Sequence, residues 1–146
     1  MDINAAIDAS YSGLQAQRIR MNVSAANLAN AYVTRTPEGG PYKPKQVIFA
    51  AIPTDTTFEA LLHPNLPDGV QVVQVVDVVE VPNSTRLEYD PNHPDANAQG
   101  YVAYPDVNVL QEMADLIAAS RLYEANVTAL NTAKQMAERA LQIGQL

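Results

Sequence analysis

The sequence predicts an α+β protein in which long N- and C-terminal helices pair as an antiparallel coiled coil around a small β-rich middle domain. Three observations carry this. Ile7, Leu14, Met21 and Leu28 recur every seven residues near the start. Apolar residues recur at 3-4 spacing through the last forty. Between them, prolines, glycines and a valine-rich run replace helical periodicity. A seven-residue repeat favours a left-handed helical seam, whereas β-branched runs fit a pleated surface.

The first helix is expected from residue 4 to about 31, capped by Asp2 or Asn4. Side-chain acceptors there meet the free N–H groups of the first turn. Tyr11 and Ala25 widen its apolar stripe, and Gly13 allows a close helix approach. The run Thr34-Arg35-Thr36-Pro37-Glu38-Gly39-Gly40-Pro41 then forms a loop. Its prolines remove helical donors, and its glycines permit positive φ.

Tyr42 to Ile52 reads as a strand, and residues 53–68, with three prolines, as a long loop. Gly69 to Val81 holds eight valines and is the clearest strand. Pro82-Asn83-Ser84 suggests a turn returning Thr85 to Tyr89 as a hairpin partner. A polar loop from Asp90 to Gly100 precedes a short strand, Tyr101 to Tyr104. The domains expected are 1–33, 34–106 and 107–146.

The last helix opens at Pro105-Asp106-Val107-Asn108 and runs to about Ile143, with Gly144 as C-cap. Met113, Leu116, Tyr123, Val127, Leu130, Ala137 and Leu141 form one stripe. Leu122, Ala129, Ala133, Met136, Ala140 and Ile143 form a second. One stripe suffices for the N-terminal helix. The other faces water in a monomer and marks a partner site. Side-by-side copies would give a tube, helices inside and β domains outside.

Composition narrows the function. Cysteine is absent, so disulfides and thiolate metal sites are excluded. The net charge is −7, with 0 over residues 1–34, −1 over 107–146 and the remaining −6 between. An acidic chain without a basic cluster does not suit nucleic acid. No apolar run reaches membrane-spanning length, so direct membrane insertion is not expected. The N-terminus lacks the basic and apolar regions of a cleaved secretory signal. The expectation is therefore a cytosolic chain, or one exported without such a signal.

No catalytic arrangement emerges. The serines lack a triad context, and Gly39-Gly40 is not followed by the Lys-Ser or Lys-Thr of a phosphate loop. Asp90, His93 and Asp95 resemble a metal or acid–base cluster, but Pro91 and Pro94 separate them and His63 is remote. A turn or subunit contact is the expected role. No metal and no cofactor are expected. Asn22, Asn27 and Asn30 either cap a fraying helix end or bond to neighbouring subunits. Arg18, Arg20 and Arg121 are solvated or pair across subunits with Glu124, Asp115 or Glu112.

Several segments carry a resemblance. Ser24-Ala25-Ala26-Asn27-Leu28-Ala29-Asn30 resembles the Asn-rich motif of flagellar axial proteins, the rod, hook and hook-associated subunits. Thr34 to Tyr42, Tyr89 to Ala96, Gly100 to Ala103 and Asn108 to Asn131 are similar to the proximal-rod branch of that family, as is Ser12 to Gln17. Tyr32-Val33 departs from the small polar residues usual there, and residues 53–68 match no family motif. The resemblance implies a structural subunit that transmits torque and surrounds the export channel. Its implied partners are other rod subunits, copies of itself and the flagellar type III export apparatus. Its implied place is the basal-body rod spanning the periplasm. The alternative is a different rod or hook-junction subunit. Expected interface residues are Ile7, Leu14, Met21, Asn27, Leu28, Asn30, Met113, Leu116, Tyr123, Val127, Leu130 and Leu141, with loop contacts from Asp90, His93 and Asp95.

Overall fold

A computed structural model describes residues 3–53, 71–82 and 84–143. Helix α1 spans Ile3–Ala29 and helix α2 spans Val109–Ile143. Between them lie β1 (Lys45–Pro53), β2 (Gln71–Glu80), β3 (Thr85–Tyr89) and β4 (Tyr101–Pro105). The α+β class and its order therefore agree with the sequence reading. The expected cap at Asp2, the C-cap at Gly144, His63 and nearly all of the 53–68 loop lie outside the described residues.

The two helix ends facing the β region have local causes. At the end of α1, Asn30 donates its backbone N–H and its Nδ2 to the Ala26 carbonyl, at 3.1 and 2.8 Å. These bonds terminate the ladder where free carbonyls need donors. Asn108 caps α2: its Oδ1 accepts from the Gln111 N–H at 3.2 Å, and its carbonyl accepts from the Glu112 N–H at 3.0 Å.

The strands form two two-stranded sheets, β1 with β2 and β3 with β4. The second is antiparallel, with Thr85 opposite Pro105, Leu87 opposite Ala103 and Tyr89 opposite Tyr101. The expected β2–β3 hairpin is thus corrected. The Val81 N–H donates to the Pro44 carbonyl at 2.8 Å, extending β2 past β1 instead. Pro82 has no N–H to give a hairpin ladder. The Ser84 hydroxyl turns back on the Val81 carbonyl at 2.8 Å, while the Ser84 carbonyl accepts from the Asp106 N–H at 2.8 Å.

The hairpin is closed by the long loop, because that loop is internally bonded. Asp90 donates to the Gly100 carbonyl at 3.0 Å, and Asn97 Oδ1 accepts from the Gln99 and Tyr101 N–H groups, each at 2.9 Å. Gly100 has φ +82°, and a Cβ there would lie 2.8 Å from Tyr89 Cε2. Only glycine fits that corner. The Tyr89 and Tyr101 rings meet edge to face at 5.3 Å.

The chain divides into two compact units. One contains α1 up to Ile19, β1 from Phe49, β2 to Val76 and α2 from Ala119. Among the described residues, its buried apolar side chains are Ala16, Ala119 and Ala133. The other contains the rest of α1, β1 to Ile48, β2 from Asp77, and β3, β4 and the first turns of α2. It buries Ala31, Val102, Pro105 and Val107, together with Ser24, Asn27 and Ser84. Alanine removes little apolar area from water, so the first unit gains little from these side chains.

Candidate assembly interface

The residues that join α1 to α2 are small or polar. In the first unit a Cβ added to Gly13 would lie 2.8 Å from Asn126 Nδ2, so the backbone there runs close to α2. In the second, Arg20 Nη2 donates to Asp115 Oδ1 at 2.9 Å. Further along, Asn27 Nδ2 donates to Glu112 Oε1 at 2.9 Å. Gly13, Arg20 and Asn27 are spaced by seven, so one line of α1 makes these contacts.

Asn27 is the centre of the second unit. It is 2% exposed, and its amide makes four bonds. Nδ2 donates to the Lys45 carbonyl at 2.8 Å and to Glu112. Oδ1 accepts from Tyr42 Oη at 3.0 Å and from the Lys45 N–H at 2.9 Å. Two donors and two acceptor positions are the full capacity of a primary amide. Asn27 therefore ties α1, the approach to β1 and α2 within one chain. Arg20 likewise pairs with Asp115 within the chain. Asn30 follows the local reading, as a helix-end cap.

The same cluster acts on Tyr42. Burial pushes its phenol pKa up, and the nearby carboxylates of Glu112 and Glu80 push the same way. Each makes the phenolate less favourable, so the neutral hydroxyl donates to Asn27.

The apolar heptad Ile7, Leu14, Met21 and Leu28 sits one residue beyond the contacting line, about 100° around the helix. All four side chains are half-buried. On α2 the inner positions are Glu112, Leu116, Ala119, Tyr123, Asn126, Leu130, Ala133 and Ala137, at alternating spacings of four and three. Val127 is half-buried beside them, whereas Met113 and Leu141 are exposed. Those two leave the inner stripe, and Ala133 joins it from the second. The rest of the second stripe is uncovered: Leu122, Met136 and Ile143 are 47%, 49% and 73% exposed.

The Asp90–His93–Asp95 loop does not gather into a metal site, and among the described residues no group of three or more potential ligands converges. Asp90 Oδ1 accepts from the Asn92 N–H at 3.2 Å. His93 Nδ1 accepts from the Asp95 N–H at 3.1 Å, which leaves the proton of the neutral ring on Nε2. The Asp95 carboxylate accepts from Thr34 Oγ1 at 2.8 Å and lies 3.9 Å from Arg35 Nη1. Asp95 thus fastens this loop to the one following α1.

Among the described residues, the fully buried apolar side chains of the first unit are alanines while Leu122, Met136 and Ile143 stay uncovered, as suits the class of assembling structural subunits. Comparison with known proteins places it more narrowly. Residues 7–35 match the model of the flagella basal body rod protein family, and residues 98–143 match that of the flagellar basal body rod FlgEFG protein C-terminal region. The flagellar basal-body rod protein FlgC of Borreliella burgdorferi is 40% identical, with 99% of each chain covered. FlgC of Yersinia enterocolitica is 44% identical over 94% of this chain and 95% of its own, and FlgC of Bacillus subtilis 40% over 95% and 96%. The chain belongs to the FlgC family of flagellar basal-body rod proteins. Among the described residues no helix is long and apolar enough to cross a membrane.

Proposed function

We propose that this chain is a structural, non-catalytic subunit of the flagellar basal-body rod, built into the proximal rod through its terminal helices. The observation that carries the reading is the uncovered apolar line Leu122, Met136 and Ile143, spaced by multiples of seven, on a helix whose fully buried residues are Ala119 and Ala133. Such a line is a ready coiled-coil seam. The half-buried heptad of α1 is its counterpart. Within the chain, α1 and α2 pair as an antiparallel coiled coil. Supporting this in the second unit, the α2 partner falls from Asp115 to Glu112 as the α1 residue rises from Arg20 to Asn27.

In this reading residues 1–33 and 107–146 form the rod core and residues 34–106 the outer β-rich part. Neighbours are copies of the chain and other rod subunits. The chain reaches the periplasm through the flagellar type III export apparatus without a cleaved signal. In place, it transmits torque and lines the channel. Leu14, Met21, Leu28, Met113 and Leu141 act between subunits, and the exposed parts of the Asp90–Gly100 loop touch a neighbour. A different rod or hook-junction subunit is disfavoured by the near full-length similarity to FlgC proteins.

Complementation of a strain lacking its own copy tests this. Leu14→Asp and Leu130→Asp each put a charge into an apolar seam at a cost of about 3 kcal/mol or more. Both are expected to stop rod formation while β3 and β4 stay folded. Normal basal bodies and motility in either strain would falsify the seam assignment.

A further inference from the structure

A second candidate surface lies on β3. Among the described residues β3 pairs only with β4, and its other edge has no strand partner among them. All five of its residues are exposed, Leu87 at 69% and Tyr89 at 64%. An open edge offers a row of unpaired backbone donors and acceptors to another strand.

The sequence of that edge selects the strand. It reads Thr85-Arg86-Leu87-Glu88-Tyr89. Laid antiparallel against a second copy of itself and centred on Leu87, it sets Arg86 opposite the second copy's Glu88, and Glu88 opposite its Arg86. Leu87 meets Leu87, and Tyr89 meets Thr85. Centring on Arg86 or on Glu88 would instead set like charges opposite each other. A parallel, in-register pair would do so at both positions. Opposite charges across strands stabilise a pair and like charges oppose it. Arg86 and Glu88 already share one face, with Nη2 3.9 Å from Oε2. On the other face, Leu87 lies beside Ala103 and Tyr89 beside Tyr101. Pairing would therefore join two hairpins into one four-stranded sheet with a continuous apolar strip.

We infer that β3 is a homotypic edge-pairing site, through which two free copies of this chain associate about a two-fold axis at Leu87. The contact is isologous, so it closes after two copies and does not propagate. It is a property of the unassembled subunit, beyond the helical assembly proposed above. Five residues make a small interface, so the association is weak.

Sedimentation velocity on the purified chain tests it, over about 10 μM to about 1 mM, the range that suits so small an interface. The wild type is expected to shift from monomer to dimer across this range. Arg86→Glu sets like charges opposite twice and is expected to weaken association by at least about tenfold. Arg86→Glu/Glu88→Arg restores both opposite pairs and is expected to recover it. The chain has no cysteine, so a second readout is clean. Leu87→Cys places a thiol opposite its own copy, whereas Thr85→Cys faces Tyr89. Oxidative dimer formation is expected to be at least about tenfold faster for Leu87→Cys, as cross-strand Cβ separations imply. A wild type that stays monomeric, a double variant as weak as the single one, or equal crosslinking at both positions overturns the inference. So does Leu87→Cys crosslinking only inside assembled rods, which makes the contact one of the rod and not of free copies.

Discussion

Replacing Asn27 with alanine removes four hydrogen bonds at once, to the Lys45 carbonyl and N–H, the Tyr42 hydroxyl and the Glu112 carboxylate. A net neutral bond contributes about 1 kcal/mol, and one to a charged group about 1.5–3. The simple sum is about 4.5–6 kcal/mol, but such terms are not additive. Tyr42 and Glu112 are half-buried and Lys45 is exposed, so water recovers part of the loss. The expected cost is about 2–4 kcal/mol. Asn27→Asp keeps the shape and is more informative. It turns an oxygen, in place of Nδ2, toward the Lys45 carbonyl and Glu112. Two acceptor contacts become repulsive and a second negative charge is buried. Its cost exceeds that of alanine at neutral pH. Burial and Glu112 raise the folded pKa of the introduced carboxyl, so the penalty grows above the unfolded value of about 3.9 and shrinks as pH falls. Urea unfolding followed by circular dichroism gives the global cost. Amide exchange at Lys45 gives the local one, with about a hundredfold loss of protection expected in Asn27→Ala. An Asn27→Ala protein within about 0.5 kcal/mol of wild type, with Lys45 still protected, would refute the assignment of Asn27 as the tie between these segments.

Three further outcomes follow from distances in the structure. Tyr42→Phe removes one donor to Asn27 and is expected to cost about 1 kcal/mol near neutral pH. Because the Tyr42 pKa is raised on folding, its contribution is complete below the unfolded value of about 10 and lost as pH rises through the folded one; alkaline melts should therefore fall less steeply in Tyr42→Phe than in wild type. Gly13→Leu forces α1 from Asn126 and is expected to cost about 1–3 kcal/mol in thermal unfolding. Gly13→Ala/Asn126→Ala, which clears the space and gains helix propensity, should be at least as stable as wild type. The Arg20–Asp115 pair is 36% exposed at each side chain, so a double-mutant cycle should give a coupling below about 1 kcal/mol that falls further in high salt; a larger, salt-insensitive value contradicts this.

Legibility in the sequence followed the kind of side chain that carries each feature. Among the described residues, the two long helices and the four strands were readable from periodicity, valine content and punctuation by proline and glycine. Strand partners were not. Pro82-Asn83-Ser84 looks like the hairpin turn, and the eleven-residue stretch from Asp90 to Gly100 looks too long to be one. The bonds from Asn97 and the positive φ at Gly100 reverse that, and neither leaves a hydrophobic trace. The polar contacts between the helices were hidden for a related reason. Two lines of α1 repeat every seven residues, Leu14-Met21-Leu28 and Gly13-Arg20-Asn27. Hydrophobicity selects the first, whereas the hydrogen bonds to α2 come from the second, where Gly13 permits close approach and Asn27 satisfies buried polar groups. Asn126 and Glu112, spaced by multiples of seven around Ala119, were the matching signal on α2. Tyr42 was invisible as a member of the site, since only the fold brings residue 42 beside Asn27.

The outer apolar line of α2 is expected to be covered only in the assembled rod, and thiol labelling measures that directly. In this cysteine-free chain, Met136→Cys and Leu122→Cys each introduce one reactive group at an exposed position. Labelling is to be compared between the purified monomer and basal bodies isolated from a strain motile on that variant. The account predicts rapid labelling in the monomer and at least about tenfold slower labelling in the basal body, as burial in a packed seam requires. Equal rates in both states would contradict it.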